Sequence, residues 1–168
     1  MSDGVEITVL GDTEMVAALR EKADLFDQVM QRRMHEIVGA VQRNVVDNHL
    51  SGPTGEHSLS RIRGNLARSV QTDVGSDGDA VQGRIFYTGD VPYAAIHEFG
   101  GVIPAHDIVP VNAQALHFMM GGKEVFAKIV HLPDITMPER APLRTGFREL
   151  ADWIVQSIKA GMAEVLAS

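Results

Sequence analysis

Residues 91–101 have the sequence VPYAAIHEFGG, which contains the signals for a short helix and for both of its ends. Pro92 suits the first turn of a helix, because a proline has no N–H group to lose there. Gly100 or Gly101 can take the left-handed backbone conformation that ends a helix. We therefore predict a short helix here, placed between a sheet and the helices on either side of it.

The side chains of this short helix divide into an apolar face and a polar pair. Tyr93, Ile96 and Phe99 recur at about helical spacing, so they predict one apolar face that packs inward. His97 and Glu98 are the polar pair. Any chemistry of this segment therefore depends on what surrounds these two side chains.

The chain before this segment predicts a strand followed by a long helix. Residues 5–10 alternate apolar and polar side chains, which is typical of a short strand. From Asp12 or Thr13 to about Leu50, apolar residues recur in steps of three and four, as in an amphipathic helix. Such a helix would be about 55 Å long, whereas a compact domain of this size is about 40 Å across. Either the helix bends near Gly39, or one end packs on another copy of the protein.

Two hairpins are predicted on either side of the short helix. Residues 70–74 and 80–87 alternate around a turn rich in glycine and aspartate. Residues 116–119 and 125–132 flank a Gly-Gly pair and predict a second hairpin. Both faces of its return strand are partly apolar, so we expect this hairpin to contact a neighbouring molecule as well as the core.

The remaining segments complete an α+β fold. Residues 102–112 contain two prolines and predict a long loop, and residues 133–142 predict an extended segment. From Pro142 to about Leu166 the apolar positions again step by three and four, which predicts a last helix. We expect a single domain, residues 1–168, in which the two hairpins and the N-terminal strand form one antiparallel sheet packed by the long N-terminal helix and the C-terminal helix.

Composition limits the classes of function. The 168 residues have a formal net charge of −7, whereas general nucleic-acid binding favours a positive balance. The absence of cysteine excludes disulfides and cysteine metal sites, and it fits a reducing cytoplasm. Neither a secretory leader nor a membrane-spanning run is expected, because no apolar stretch is long enough. The composition is typical of a soluble globular protein.

The His97-Glu98 pair invites a zinc hydrolase hypothesis. A helical zinc motif needs a second histidine four positions after the first, and that position is Gly101. A looser zinc site could still form from His97, Glu98, His106 and His117. The alternative function is therefore a metal-dependent hydrolase that uses His97, Glu98 and His106. No phosphate-binding loop or activated nucleophile is present in the sequence, and no cofactor is expected.

A structural role for the same pair is the other alternative. In that case the His97 ring is half-buried and hydrogen-bonded to backbone. The Glu98 carboxylate then faces a nearby arginine, either Arg140 or Arg144.

A basic cluster, Arg61, Arg63 and Arg68, surrounds Gly64. One interpretation is a solvated loop whose arginines pair with local carboxylates. The other is a basic surface that faces DNA in a channel, or an acidic neighbouring subunit. A small DNA-binding assembly factor would also use these arginines, and its affinity would fall steeply with salt.

Three segments in series resemble one family. They are the Tyr-x-x-Ile-His-Glu-Phe-Gly-Gly run that ends at Gly101 with Ile-Pro-Ala behind it, residues 62–70 (IRGNLARSV) and residues 138–144 (PERAPLR). Together they resemble the tail-completion or neck proteins of tailed bacteriophages, including the virion-morphogenesis proteins of Mu-like phages. The likeness spans roughly residues 60–165. An aromatic residue is more usual in that family where this chain has Ala141-Pro142-Leu143.

The resemblance implies a structural protein of the virion, in the tail or neck, that is assembled in the cytoplasm of the bacterial host. It implies a homo-oligomeric ring that caps the tail tube, contacts the tail tube protein and the head-closure or connector proteins, and lets DNA pass without specific binding. The expected contact elements are the 100–112 loop, the second hairpin and the free end of the first helix. The residues expected to contact subunits or partners are Arg61, Arg63, Arg68, His97, Glu98, Phe99, Pro104, His106, Phe126, Arg140 and Arg144.

Overall fold

The structure is a computed structural model that describes residues 13–77, 80–89 and 91–168. Its class is α+β, as predicted, with a long N-terminal helix, a helical C-terminus and small antiparallel hairpins. The strand predicted at residues 5–10 lies outside the described residues.

The elements follow in chain order. The helices are α1 (Thr13–Asn44), α2 (Asn65–Ser69), α3 (Ala94–Phe99), α4 (Pro142–Glu149) and α5 (Ala151–Ala167), with a π-helical turn (Val45–His49) directly after α1. The strands are β1 (Val70–Ser76), β2 (Val81–Tyr87), β3 (Gly101–Ile103), β4 (His106–Ile108), β5 (Leu116–Met120), β6 (Lys123–Ala127), β7 (Val130–Leu132) and β8 (Ile135–Met137).

Helix α1 projects beyond the rest of the domain. It is helical without interruption through Gly39. Its 32 residues extend about 48 Å at 1.5 Å per residue. Burial begins only at Val29, and residues 13–28, here called the overhang, are almost all exposed. The first half of α1 therefore lies outside the buried core of the described residues.

The core forms where the second half of α1 meets the β1–β2 hairpin and the C-terminal helices. Its buried cluster contains Ile37, Val41, Val45, Leu50, Ala67, Val70 and Ile154. The hairpin approaches α1 closely at Gly83, where an added Cβ would lie 2.6 Å from the sulfur of Met34. Arg32 and Arg33 of α1 both bind the carboxylate of Glu164, at 2.5 and 3.1 Å, and so join α1 to α5.

Residues 101–137 form a long antiparallel ribbon, here called the arm. Strand β3 pairs with β8 and β4 pairs with β7 in one continuous register, since Gly101 opposes Met137 and Ile108 opposes Val130. The Asp134 carboxylate accepts the N–H of Ala105 at 2.6 Å between the two ladders. The β5–β6 hairpin follows as the tip, and most arm side chains are exposed.

Three predictions about these elements are wrong. The hairpins do not share one sheet, because the described strands form four separate two-stranded ladders. Residues 102–112 are not one long loop, since they contain β4 and two of the three residues of β3. The last helix is interrupted at Leu150, whose N–H bonds to the carbonyl of Phe147 only three residues back.

The contact between α4 and the π-helical turn depends on a glycine. An added Cβ at Gly146 would lie 2.6 Å from a methyl carbon of the fully buried Val45. We expect Gly146→Ala to destabilise the protein by about 1–3 kcal/mol through overpacking. The matched control is Gly39→Ala in α1, which meets only the end of the Arg43 side chain at 3.5 Å and should stabilise by about 0.5–1 kcal/mol. Urea unfolding measures the free energy of unfolding of both variants. Equal values would contradict the close contact between Gly146 and Val45.

Candidate functional site

The carboxylate of Glu98 caps the first turn of α4. Its Oε2 accepts the N–H of Leu143 and its Oε1 accepts the N–H of Arg144, both at 3.1 Å. The side chain of Glu98 is only 7% exposed. The N–H groups in the first turn of a helix have no partner within the helix, and its positive end favours an anion. Glu98 therefore supplies from α3 the cap that α4 lacks.

The sequence of α4 explains why this cap comes from elsewhere. The N-cap residue is Ala141, whose methyl group cannot accept a hydrogen bond, and it lies in the left-handed region with φ of 47°. Pro142 follows and has no N–H. Gly100 allows the end of α3 to approach the segment before α4. Its φ is 67°, and an added Cβ would lie 2.8 Å from the backbone nitrogen of Glu139.

Arg144 completes the contact on the outer side of the carboxylate. Its Nε lies 3.2 Å from Glu98 Oε1, and its Nη2 donates to the Glu98 carbonyl at 2.5 Å and to Glu139 at 2.9 Å. The guanidinium also lies over the ring of Phe99, 5.0 Å from the centroid. Of the two arginines predicted to face Glu98, Arg144 is the one that binds its carboxylate.

Arg140 is directed to a different neighbour. Its N–H, like that of Ala141, bonds to the carbonyl of His97. Its guanidinium donates to the carbonyl of Gly55, and the ring of His57 lies 3.2 Å from the Arg140 carbonyl. Arg140 therefore joins the loop after the π-helical turn to the α3–α4 contact.

A second polar contact joins that same turn to α4. The buried ring of His49 lies 2.8 Å from the carbonyl of His57 and 3.0 Å from the carboxylate of Glu149. Asn44 also donates to Glu149, at 2.8 Å. These hydrogen bonds, first from His49 and then from Asn44, lower the pKa of Glu149. No sequence pattern predicts this contact, because His49 and Glu149 are 100 residues apart and follow no motif.

His97 is half-buried, as predicted, but the described residues show no hydrogen bond from its ring to backbone. Nδ1 is buried and has no partner among the described residues. The ring packs edge-on against Tyr93, with 6.0 Å between centroids. Burial, and then the charge of Arg140, lower the pKa of His97.

Tyr87 was not predicted as part of this region. Its hydroxyl is buried without a hydrogen-bond partner in the described part of the chain. Burial, and then the negative charge of Glu98, raise the pKa of Tyr87 well above its usual value. The alternation along β2 predicts that Tyr87 shares a face with Ile85. It does not predict that Tyr87 lies close to Glu98.

The apolar face predicted for α3 is wrong. Phe99 is 66% exposed and Tyr93 is also exposed, whereas Ala94 and Glu98 are buried. These two buried residues are four positions apart and so share one face of the helix. Because Glu98 caps α4, the face of α3 that carries Ala94 and Glu98 lies inward.

The residues of the metal hypothesis are not gathered into one site. Across residues 13–77, 80–89 and 91–168, no three His, Asp or Glu side chains lie close enough to hold a metal ion together. Both oxygens of Glu98 are bound by α4. His106 and Pro104 lie exposed on the arm, with the His106 ring on the Pro104 carbonyl at 2.9 Å. His117 stacks on Phe126 near the arm tip, at 4.7 Å.

Arg61 and Arg63 of the basic cluster line an open groove of about 480 Å³, here called the arginine groove. Its apolar lining comes from Leu50, Leu59, Ile62, Leu66, Ala67 and Tyr93, and its polar lining includes Arg61, Arg63 and His97. Arg68 donates to Asn65 at 2.6 Å. Neither Arg61 nor Arg63 pairs with a carboxylate in the described residues, so the predicted local pairing is wrong.

The arm presents a second exposed surface. Phe126 is 67% exposed, and Met119 and Met120 are exposed on the facing strand. Val109 and Val111 are exposed in the segment between β4 and β5. The arm therefore carries apolar side chains that its own ladders do not bury.

Comparisons with protein-family models, with curated proteins and with solved structures give no match to this chain. None of the helices in the described residues has both the length and the apolar character needed to cross a membrane.

The Glu98 cap predicts a large loss of stability when it is removed. We expect Glu98→Ala to cost about 2–4 kcal/mol, because two helix N–H groups and a part-buried guanidinium lose their acceptor. Urea unfolding measures this cost. The control is Glu139→Ala, which removes only the exposed partner of Arg144 and should cost less than about 1 kcal/mol. Equal costs for the two variants would show that Glu98 is not a cap.

The buried hydroxyl of Tyr87 predicts a pH effect. Tyr87→Phe should leave stability at pH 7 unchanged or raise it by about 1 kcal/mol, because the lost hydroxyl has no partner. The folded-state pKa is raised, so the wild type keeps its full stability below pH about 10 and loses it as the unfolded tyrosine ionises above that pH. Urea titrations from pH 7 to 11 should show a shallower loss in Tyr87→Phe than in Tyr93→Phe. Identical pH profiles would contradict the burial of this group.

Proposed function

We propose that this protein is a structural component of the head–tail interface of a tailed bacteriophage or prophage. In this role subunits assemble as a ring that caps the tail tube and joins it to the DNA-filled head. The observation that carries the proposal is that two long elements, the overhang and the arm, project from a small core with apolar side chains exposed. Such surfaces typically mark protein interfaces.

The resemblance of the sequence to tail-completion and neck proteins supplies the particular role. Two of the three segments that carry the likeness, residues 93–101 and 138–144, meet through the Glu98 cap. The His-Glu pair in the first of them therefore has an architectural use, since both Glu98 oxygens hold α4. This supports action by shape and self-association rather than by turnover.

The charge of the chain agrees with a channel that DNA crosses. A net charge of −7 disfavours tight attachment to phosphates, so DNA would move past without being held. The partners implied are further copies of this chain, the tail tube protein and the head-closure proteins. The protein would then reside in the virion after assembly in the host cytoplasm.

Electron microscopy of the purified protein, alone and mixed with tail tubes, tests this function. We expect rings, either free or seated on tube ends. Protein that stays monomeric and leaves tube ends bare would contradict the proposal. So would hydrolytic turnover that His97→Ala abolishes in a well-folded variant.

The arm tip offers a direct test of assembly. Met119→Ser with Phe126→Ser should leave the thermal midpoint nearly unchanged, because both side chains are exposed, but should reduce capping of tail tubes. The fraction of tail-tube ends that are capped is counted in electron micrographs. The matched control is Trp153→Ser on α5, which is also exposed but lies off the arm. Normal capping by the tip variant would remove the arm from the interface.

A further inference from the structure

The two ladders of the arm, β3 with β8 and β4 with β7, are separated by a gap of two residues in each strand. These four residues, here called the joint, are Pro104, Ala105, Pro133 and Asp134. Both ladders have the same register, so the Ala105 position lies opposite Pro133 and the Pro104 position lies opposite Asp134. Because this register would allow one unbroken ladder, the gap has a local cause.

Prolines on both strands explain the gap. Neither Pro104 nor Pro133 has a backbone N–H group, so neither can donate to the facing strand. In an antiparallel ladder, residue pairs that exchange hydrogen bonds alternate with pairs that do not. Because the two prolines fall in successive pairs, one of them removes a ladder hydrogen bond whichever set of pairs is bonded. The N–H of Ala105 donates to the side-chain Oδ1 of Asp134 at 2.6 Å. An exposed side chain therefore supplies a hydrogen bond where the backbone ladder is interrupted.

The root of the arm is held more firmly than the joint. Gly100 and Gly101 at the root both have positive φ, a feature that by itself would favour a flexible root. However, Gly100 lies against the segment before α4, since an added Cβ would be 2.8 Å from the backbone nitrogen of Glu139. Gly101 pairs with Met137 in the first ladder. The Glu98 cap fixes the chain directly before these glycines.

The part of the arm beyond the joint, residues 106–132, carries the exposed apolar surface. Phe126, Met119 and Met120 are exposed at its tip, and Val111 is exposed in the segment between β4 and β5. Bending at the joint therefore changes the direction of this surface relative to the core, and it leaves the pairing of β4 with β7 and of β5 with β6 intact.

We infer that the joint is a hinge built into the arm, at which residues 106–132 change direction while the root stays fixed to the core. Asp134 limits the bending, because its hydrogen bond to Ala105 breaks when the two strands shear or separate at the joint. Hinges are typically a few residues that absorb a backbone change between two better-held parts. The hinge follows from the arm residues alone. Its use rests on the proposed function, in which it lets the apolar tip adopt the angle that capping of the tail tube requires.

Distances between spin labels test the hinge, and the absence of cysteine makes labelling specific. One label is attached at Val155→Cys on α5, and the second at either Val102→Cys on β3 or Ile108→Cys on β4, all exposed positions. Pulsed electron paramagnetic resonance measures the distribution of distances from the core to each side of the joint. An excess of unlabelled protein restricts the measurement to distances within one chain. We expect a narrow distribution for Val102→Cys and a broader one for Ile108→Cys.

Variants of the joint should change the second distribution in opposite directions. Asp134→Ala removes the acceptor and should broaden the distribution for Ile108→Cys, whereas the control Asp134→Asn keeps a side-chain oxygen and should not. Pro104→Thr with Pro133→Thr restores both N–H groups in residues that favour strands, so one continuous ladder can form. The distribution for Ile108→Cys should then narrow to the width found for Val102→Cys. The thermal midpoint checks that each variant remains folded.

Three results would overturn the hinge. They are equal widths for the two distances when both prolines are present, a distribution for Val102→Cys as broad as that for Ile108→Cys, and an unchanged width in the double threonine variant. Capping of tail tubes tests the use of the hinge separately. The double threonine variant should cap fewer tube ends than the wild type, and unchanged capping would overturn this use. Failure of the wild type to cap any tube would overturn the proposed function, while the measured hinge would remain.

Discussion

The carboxylate of Glu98 holds together two segments that are 45 residues apart in the chain. It accepts both available N–H groups at the start of α4 and one donor of Arg144, in a place from which solvent is nearly excluded. A buried carboxylate is stable only when such donors surround it. Because α4 contacts the π-helical turn through Gly146, the position of this one side chain also affects how the C-terminal helices meet the end of α1. The arm starts at Gly101, three residues after Glu98, so its direction depends on the same contact.

The chain places much of its length outside the core. The overhang and the arm both carry exposed apolar side chains in the patterns of packed elements, and the described residues cover neither of them fully. For the overhang the reason is length, since α5 reaches Arg32 and Arg33 and the first hairpin reaches Asp27, and α1 extends beyond both contacts. For the arm the reason is that each ladder has only two strands, so a two-stranded ribbon cannot cover its own faces. A subunit of this form is suited to an assembly in which neighbours supply the missing contacts, as the proposed ring requires.

Local patterns predicted much of the fold. The long helix, both hairpins, the short helix with its glycine end and the start of the last helix at Pro142 all follow from periodicity and from turn residues. The prediction failed where tertiary contacts decide. The apolar spacing of Tyr93 and Phe99 indicated the wrong inner face of α3, because capping α4 requires Glu98 to point inward. The ladders on either side of Pro104 were missed because proline interrupts the strand pattern.

The sequence by itself determined the elements, the length of α1 that exceeds the core, and the identity of the polar pair His97-Glu98. It could not determine which arginine meets Glu98, or that no carboxylate of the described residues pairs with Arg61 or Arg63, while Arg140 bonds to the loop at Gly55. It also could not show that His49 meets Glu149. Those pairings join residues that are distant in the chain and follow no local period, so only the packing of the elements places them together. Helix and strand patterns arise from neighbours a few positions apart, whereas the sites of this protein arise from contacts between segments.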